Sequence, residues 1–275
     1  MRTLVPFVLA CCAACGAVAA CVEGGRASVT IEPLDATADG ASTGDDVVDA
    51  GADLTVSNVC GDPPWVTLGI QVVALTLGDA APLPGAQFTA SLCPGFVQYS
   101  DEAGVVKGSV SRGVPFYGRL VAPDYVSELA PEEVFDADST GSRIEMLPTF
   151  IEGVLLPGYD ASASSAIVVS VQRTVSDAGA CSSLDGVTLG VAGHPEAQVT
   201  YFSNGTIPTP VPGATATTTS GLAAITGLSA GEAGGYVTLT ATKPACHAET
   251  QHGSQTGRVP LETGFVSLMA VYLGP

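Results

Sequence analysis

Tyr236-Val237-Thr238-Leu239-Thr240-Ala241 alternates polar and apolar side chains through six consecutive positions. A period of two sends Val237, Leu239 and Ala241 to one face and the threonines to the other, as in a strand with one side buried. The same texture extends outward from this stretch in both directions, in short β-branched and aromatic runs broken by Gly, Pro and Asp. Strands are predicted at 65–77, 88–92, 105–110, 116–122, 143–147 and 150–156. After Pro157-Gly158 a second set follows, at 166–171, 187–191, 197–202, 214–218, 222–225, 236–241 and 265–273. No stretch sustains a helical period beyond a turn at 130–135. Many short strands with regular turn signals predict an all-β chain of two tandem Greek-key β-sandwiches, 59–158 and 159–275.

The two sets read as repeats of one another. Leu83-Pro84-Gly85-Ala86-Gln87-Phe88-Thr89 matches Val211-Pro212-Gly213-Ala214-Thr215-Ala216-Thr217, and Asp101-Glu102-Ala103-Gly104-Val105 matches Thr218-Thr219-Ser220-Gly221-Leu222. The aromatic-led run 116–122 matches 236–242. Arg143-Ile144 and Phe150 match Arg258-Val259 and Phe265. A Pro-Gly-Ala entry to a strand, a polar Gly turn and an aromatic-led strand resemble the carboxypeptidase regulatory-like (transthyretin-like) domains. That resemblance implies a prealbumin-like or immunoglobulin-like Greek-key sandwich appended to an exported protein. Two features depart from it: the hairpins differ in length, and the aromatic that follows the Gly turn in that family is missing. Immunoglobulin-like and collagen-adhesin B-type sandwiches stay open as relatives.

The opposite end of the chain has another texture. Arg2 precedes an apolar run from Leu4 to Val18, and Ala19-Ala20 stand directly before Cys21. This is the layout of a secretory signal peptide over 1–20. Small residues before a cysteine resemble the lipobox of bacterial lipoproteins, which implies lipidation at Cys21 after cleavage. Without its signal the chain keeps eight of nine Lys and Arg and all 27 acids, a formal charge of 8 − 27 = −19. The stretch 21–58 holds eight acids (Glu23, Glu32, Asp35, Asp39, Asp45, Asp46, Asp49 and Asp53) against Arg26, with few large apolar residues. It is expected to be a disordered acidic tether with a span of roughly 35 Å.

Such acidity excludes nucleic acid as a partner, since phosphates need a basic footprint. No later apolar run reaches the roughly 20 residues that cross a bilayer, so membrane attachment is expected through the lipid alone. Val22 in place of Asp favours the outer membrane by the sorting behaviour of lipoproteins. Four cysteines remain in the exported part: Cys60, Cys93, Cys181 and Cys246. Three pairings are open, and Cys60–Cys93 with Cys181–Cys246 is preferred because each pair then falls within one sandwich.

Motifs for chemistry are sparse. There is no Gly-x-Ser-x-Gly elbow, His-Glu-x-x-His or phosphate-binding Gly loop, so neither catalysis nor a cofactor is expected. The histidines are His194, His247 and His252. His247, Glu249 and His252 stand beside Cys246 at a spacing that matches no common zinc pattern. Asp136, Asp138 and Thr140, with Gly141 following, resemble the start of a calcium loop. Leu147 occupies the position where the closing Glu belongs, so a solvated turn is the expected reading. Asn204-Gly205-Thr206 marks a hairpin turn. Trp65 is the only tryptophan and is expected to anchor the first core; exposed, it would instead offer a surface for stacking on a sugar ring. The sum is a non-enzymatic envelope lipoprotein that displays two sandwiches to a protein or glycan partner, or a carbohydrate-binding accessory module.

Overall fold

The computed structural model describes residues 58–75, 80–93, 95–173, 181–205, 207–229, 235–250 and 258–274. Residues 1–57, where a signal peptide (1–20), the lipidation site Cys21 and nearly all of the tether are expected, and His252 lie outside the described residues. The elements run β1 (Val59–Cys60), β2 (Trp65–Ala74), β3 (Ala81–Pro82), β4 (Gln87–Ala90), β5 (Val97–Tyr99), β6 (Val105–Ser111), β7 (Gly118–Val121), β8 (Glu128–Leu129) and β9 (Ser139–Met146). Helix α1 (Thr149–Leu155) follows. The second half holds β10 (Ser165–Arg173), β11 (Thr188–Val191), β12 (Gln198–Tyr201), β13 (Leu222–Leu228), β14 (Gly235–Thr242), β15 (His247–Thr250), β16 (Arg258–Leu261) and β17 (Val266–Gly274).

In the first half, β2 sends Val66, Leu68, Ile70 and Val72 inward, where they meet Val106 and Val110 of β6. Across this layer lie Phe88 of β4, Leu120 of β7 and Phe96. Phe88 and Phe96 pack edge to face at 6.3 Å, an arrangement that adds about 1 kcal/mol to their area burial. In the second half, Ile167, Val169 and Val171 of β10 pack on Leu189, Val237, Leu239 and Val259 of the β11–β14–β16 layer. The alternating stretch 236–241 is therefore part of a strand whose Val237 and Leu239 face a core. The disulfides are Cys60–Cys93 and Cys181–Cys246, one within each half. Closing loops of 33 and 65 residues, each stabilises by about 4 kcal/mol on the loop-entropy estimate.

One nine-stranded sheet runs through both halves, in the order β12-β13-β10-β17-β8-β7-β4-β5, with β15 also on β17. The join is the parallel pairing of Val266 and Ser267 of β17 with Glu128 and Leu129 of β8. Strand β10 is buried on both faces, which explains the apolar run Ala166-Ile167-Val168-Val169. Its second face, Ala166 and Val168, meets a third apolar cluster built from Val126, Leu147, Leu155, Leu156 and Phe202.

Residues 150–156, predicted as a strand, form helix α1. Pro148 supplies an extended entry, and Ile151 and Leu155, four apart, give the helix one apolar side toward that cluster. Residues 214–218, also predicted as a strand, form a loop, and 130–135 is extended, with Glu133 bridging Phe116. Short strands β5, β15 and β16 were not legible from pattern.

The two halves share a hydrogen-bond scheme. Ser100 accepts Ala86 N–H on its Oγ at 2.8 Å and donates that hydroxyl to Leu83 O at 2.6 Å. Thr217 does the same with Val187 N–H at 3.0 Å and Leu184 O at 2.6 Å. Gly85 N–H bonds Ser100 O as Gly186 N–H bonds Thr217 O. The counterpart of Leu83-Pro84-Gly85-Ala86 is thus Leu184-Asp185-Gly186-Val187, not 211–214 as the sequence match suggested. The Pro-Gly pair at 212–213 misled because turn chemistry recurs wherever a chain reverses. The turn match 101–105 with 218–222 does coincide: Val72 N–H bonds Gly104 O and Val171 N–H bonds Gly221 O. Arg143 on β9 pairs with Gln71 where Ala270 on β17 pairs with Ser170, so its counterpart is Ala270 rather than Arg258.

Gly104 closes its turn at φ +73, and a Cβ there would stand 2.5 Å from Val72 O. Gly85 has φ +75 with nothing within 4 Å. Urea unfolding should therefore show Gly85→Ala costing about 1 kcal/mol and Gly104→Ala about 3 kcal/mol. Equal losses would contradict the close packing of that turn on β2.

Candidate functional site

Where the halves meet, two buried acids, Glu262 and Glu132, are met by arginines that are only partly covered. Arg119 projects from β7, and Tyr117 stands just before that strand. Glu262 follows β16 and is buried. Arg119 Nε donates to both carboxylate oxygens of Glu262, at 2.8 and 2.7 Å, and Tyr117 Oη donates to Oε1 at 2.5 Å. Ser165 Oγ of β10 donates to the Glu262 carbonyl at 2.7 Å. A second pair runs the other way: Arg258 of the second half reaches Glu132 of the first at 3.7 Å. The Arg258 guanidinium lies 3.6 Å over the Tyr236 ring, and Tyr236 meets Tyr117 edge to face at 5.9 Å. Each half therefore gives one arginine, one buried acid and one tyrosine to the seam.

The electrostatics follow from this geometry. Burial and the Glu262 hydrogen bond push the Tyr117 phenol well above its usual range. Burial and the Glu132 hydrogen bond push Tyr236 up to about 12. The Glu262 hydrogen bond raises Arg119 further, against the opposing effect of its partial burial. These groups keep one charge state across the physiological range, so they bind the halves together rather than move protons.

Glu128 differs. It is fully buried on β8, its Oε1 accepts Leu147 N–H at 2.6 Å, and its Oε2 has no partner. Burial drives its carboxyl well above the ordinary 4.5; the Leu147 hydrogen bond opposes this and nearby Glu145 adds to it.

The residues singled out from sequence fall elsewhere. Asp138 Oδ1 accepts Thr67 N–H at 2.7 Å and ties its loop to β2. Thr140 lies on β9 opposite Gly69, and Asp136 lies near Gly113. His194 pairs with Glu196 and His247 with Glu249, at 2.8 Å each. Lys107 reaches Asp101 at 3.5 Å, and Lys243 donates to Ser183. Asn204 and Gly205 lie in the loop closed by the Phe202–Pro210 bridge, and Thr206 lies outside the described residues. Among the described residues no three His, Cys, Asp or Glu side chains converge to hold a metal ion. Among them, too, no helix is long and apolar enough to cross a membrane.

Trp65 is not a core anchor: it is 49% exposed. It is the first residue of β2, and the alternation that buries Val66 and Leu68 turns Trp65 outward. Its indole Nε1–H donates to Gly61 O at 3.0 Å. Nothing in the sequence marked the seam, because each of its two acids lies more than 120 positions from its arginine and is one acid among 27.

No protein-family model matches the chain, and no curated protein does. Solved structures with some similarity include the Bacillus anthracis TIE protein, at 15% identity over 76% of this chain and 34% of that one, TM-score 0.23. The chain spans about a third of that protein. Others are GBS52, the minor pilin of the Gram-positive pathogen Streptococcus agalactiae (14% identity, 76% and 97% covered, TM-score 0.22), and the shaft pilin SpaA from Lactobacillus rhamnosus GG (11%, 77% and 98%, 0.23). Likeness at this level carries no functional argument.

A carboxyl raised by folding contributes stability below its unfolded value and loses it as pH rises. Wild type and Glu128→Gln should therefore have similar melting temperatures near pH 4.5. The variant should become progressively more stable than wild type toward pH 9. A constant gap across that range would show that Glu128 does not titrate in the fold.

Proposed function

We propose that the chain is a non-enzymatic, envelope-anchored display module. Lipidated at Cys21, it would hold two sandwiches, 59–158 and 159–275, away from an outer membrane on the acidic tether 21–58. Its exposed loops and strand edges would then engage a protein or glycan partner in scaffolding, adhesion or assembly. The observation that carries this reading is the seam. The most elaborate polar cluster among the described residues joins one half to the other around two buried acids, an arrangement that serves rigidity rather than turnover. A stiff, doubly stapled body with a strongly acidic surface suits presentation at a distance from the membrane.

The anchor is tested by growing cells that express wild type or Cys21→Ser with an alkyne-tagged fatty acid. Label should appear in wild type alone, and the variant should leave the membrane fraction. Equal labelling of the two would overturn the lipid attachment.

A further inference from the structure

The end of the first half that lies nearest residue 58 carries a concavity of about 330 Å³ that nothing in the seam uses. Pro64, Leu92, Cys93 and Val114 line it, together with Asp62 and Arg112. Asp62 and Arg112 are exposed, and neither side chain has a hydrogen-bond or ionic partner among the described residues. Trp65 is not part of the lining; it lies beside it, its indole Nε1–H donating to the O of Gly61, which is. That bond occupies the only polar atom of the indole, so what remains for contact is the apolar ring face. The walls are fixed: Cys93 is tied by its disulfide to Cys60, the residue before Gly61, and Ser111 Oγ donates to Asp62 O at 2.7 Å. A Cβ on Gly61 would fall 2.3 Å from Ser111 Oγ.

We propose that this end is a carbohydrate-binding site, an inference that rests on the display-module reading and gives its glycan partner a place. The Trp65 ring receives the C–H face of a pyranose, while Arg112 donates to and Asp62 accepts from hydroxyls of the same or the adjoining unit. The chemistry matches a sugar in three respects: an aromatic plane held next to the concavity by its bond to Gly61, a donor and an acceptor in the lining with no partner among the described residues, and a volume suited to one or two rings. A lipid surface fits less well, because Asp62 borders the groove and the chain's net charge is −18.

Because Trp65 is the only tryptophan, its emission reports on this site alone. The mature protein is titrated with hexasaccharides of β-linked glucose, N-acetylglucosamine, xylose and mannose, and separately with vesicles of phosphatidylethanolamine and phosphatidylglycerol. At least one hexasaccharide should shift the emission saturably and protect Trp65 from acrylamide. By calorimetry Trp65→Ala and Arg112→Ala should each weaken binding by roughly tenfold or more, and Trp65→Tyr should retain it, with unfolding midpoints unchanged. Silence from every hexasaccharide, a response to vesicles alone, or undiminished binding by Trp65→Ala would overturn the site.

Discussion

A carboxylate removed from water must be met by donors, and Glu262 finds both of its side-chain donors on the opposite half of the molecule. Breaking such a pair from one side strands a buried charge, which costs more than the pair itself contributes. The placement of β7, β14 and β16 is constrained by that requirement. Tyr117 cannot move without releasing Oε1, and Arg119 cannot move without releasing both oxygens. The reverse pair, Arg258 on Glu132, is more exposed and worth less, but it fixes the same register from the other side. Together with the parallel step from β17 to β8, it makes the joint a part of the structure rather than a linker.

Duplication and asymmetry meet at this joint. The Ser100 and Thr217 turns show one scheme used twice, and β2, β6 and β9 correspond to β10, β13 and β17. In the second half, the outer side of β17 is occupied by β15 and by β8 of the first half. A strand edge that would otherwise invite foreign pairing is thereby closed within the chain. The third apolar cluster, with α1 laid over β10, closes the remaining face. The insertion between Gly186 and Gly221, longer than its counterpart between Gly85 and Gly104, adds β12 to this same sheet.

Much of the architecture was legible because it depends on local chemistry. Alternation gave β14, apolar-rich runs gave β2 and β10, and the Gly104 and Gly221 turns identified themselves by their polar approach. The within-half pairing of four cysteines followed from where Pro157-Gly158 divides the chain. What was not legible depends on distant neighbours. Residues 150–156 look extended until the surface that Ile151 and Leu155 must cover is known. The phase of β2, which turns Trp65 outward, is set by the core across the sheet and not by the indole. Arg119, Glu262, Glu128 and Glu132 are anonymous in a chain with 27 acids, and only packing distinguishes them. Pattern reading also paired 211–217 with the wrong partner, because Pro-Gly turns carry little information about ancestry.

The central claim is that the seam makes two sandwiches one cooperative body. Scanning calorimetry of residues 21–275 with both disulfides intact tests it most directly. A single transition whose calorimetric and van't Hoff enthalpies agree, splitting in two when Glu262 is replaced by Ala, is the expected result. Two resolved transitions in the wild-type protein, left in place by that replacement, would contradict the claim.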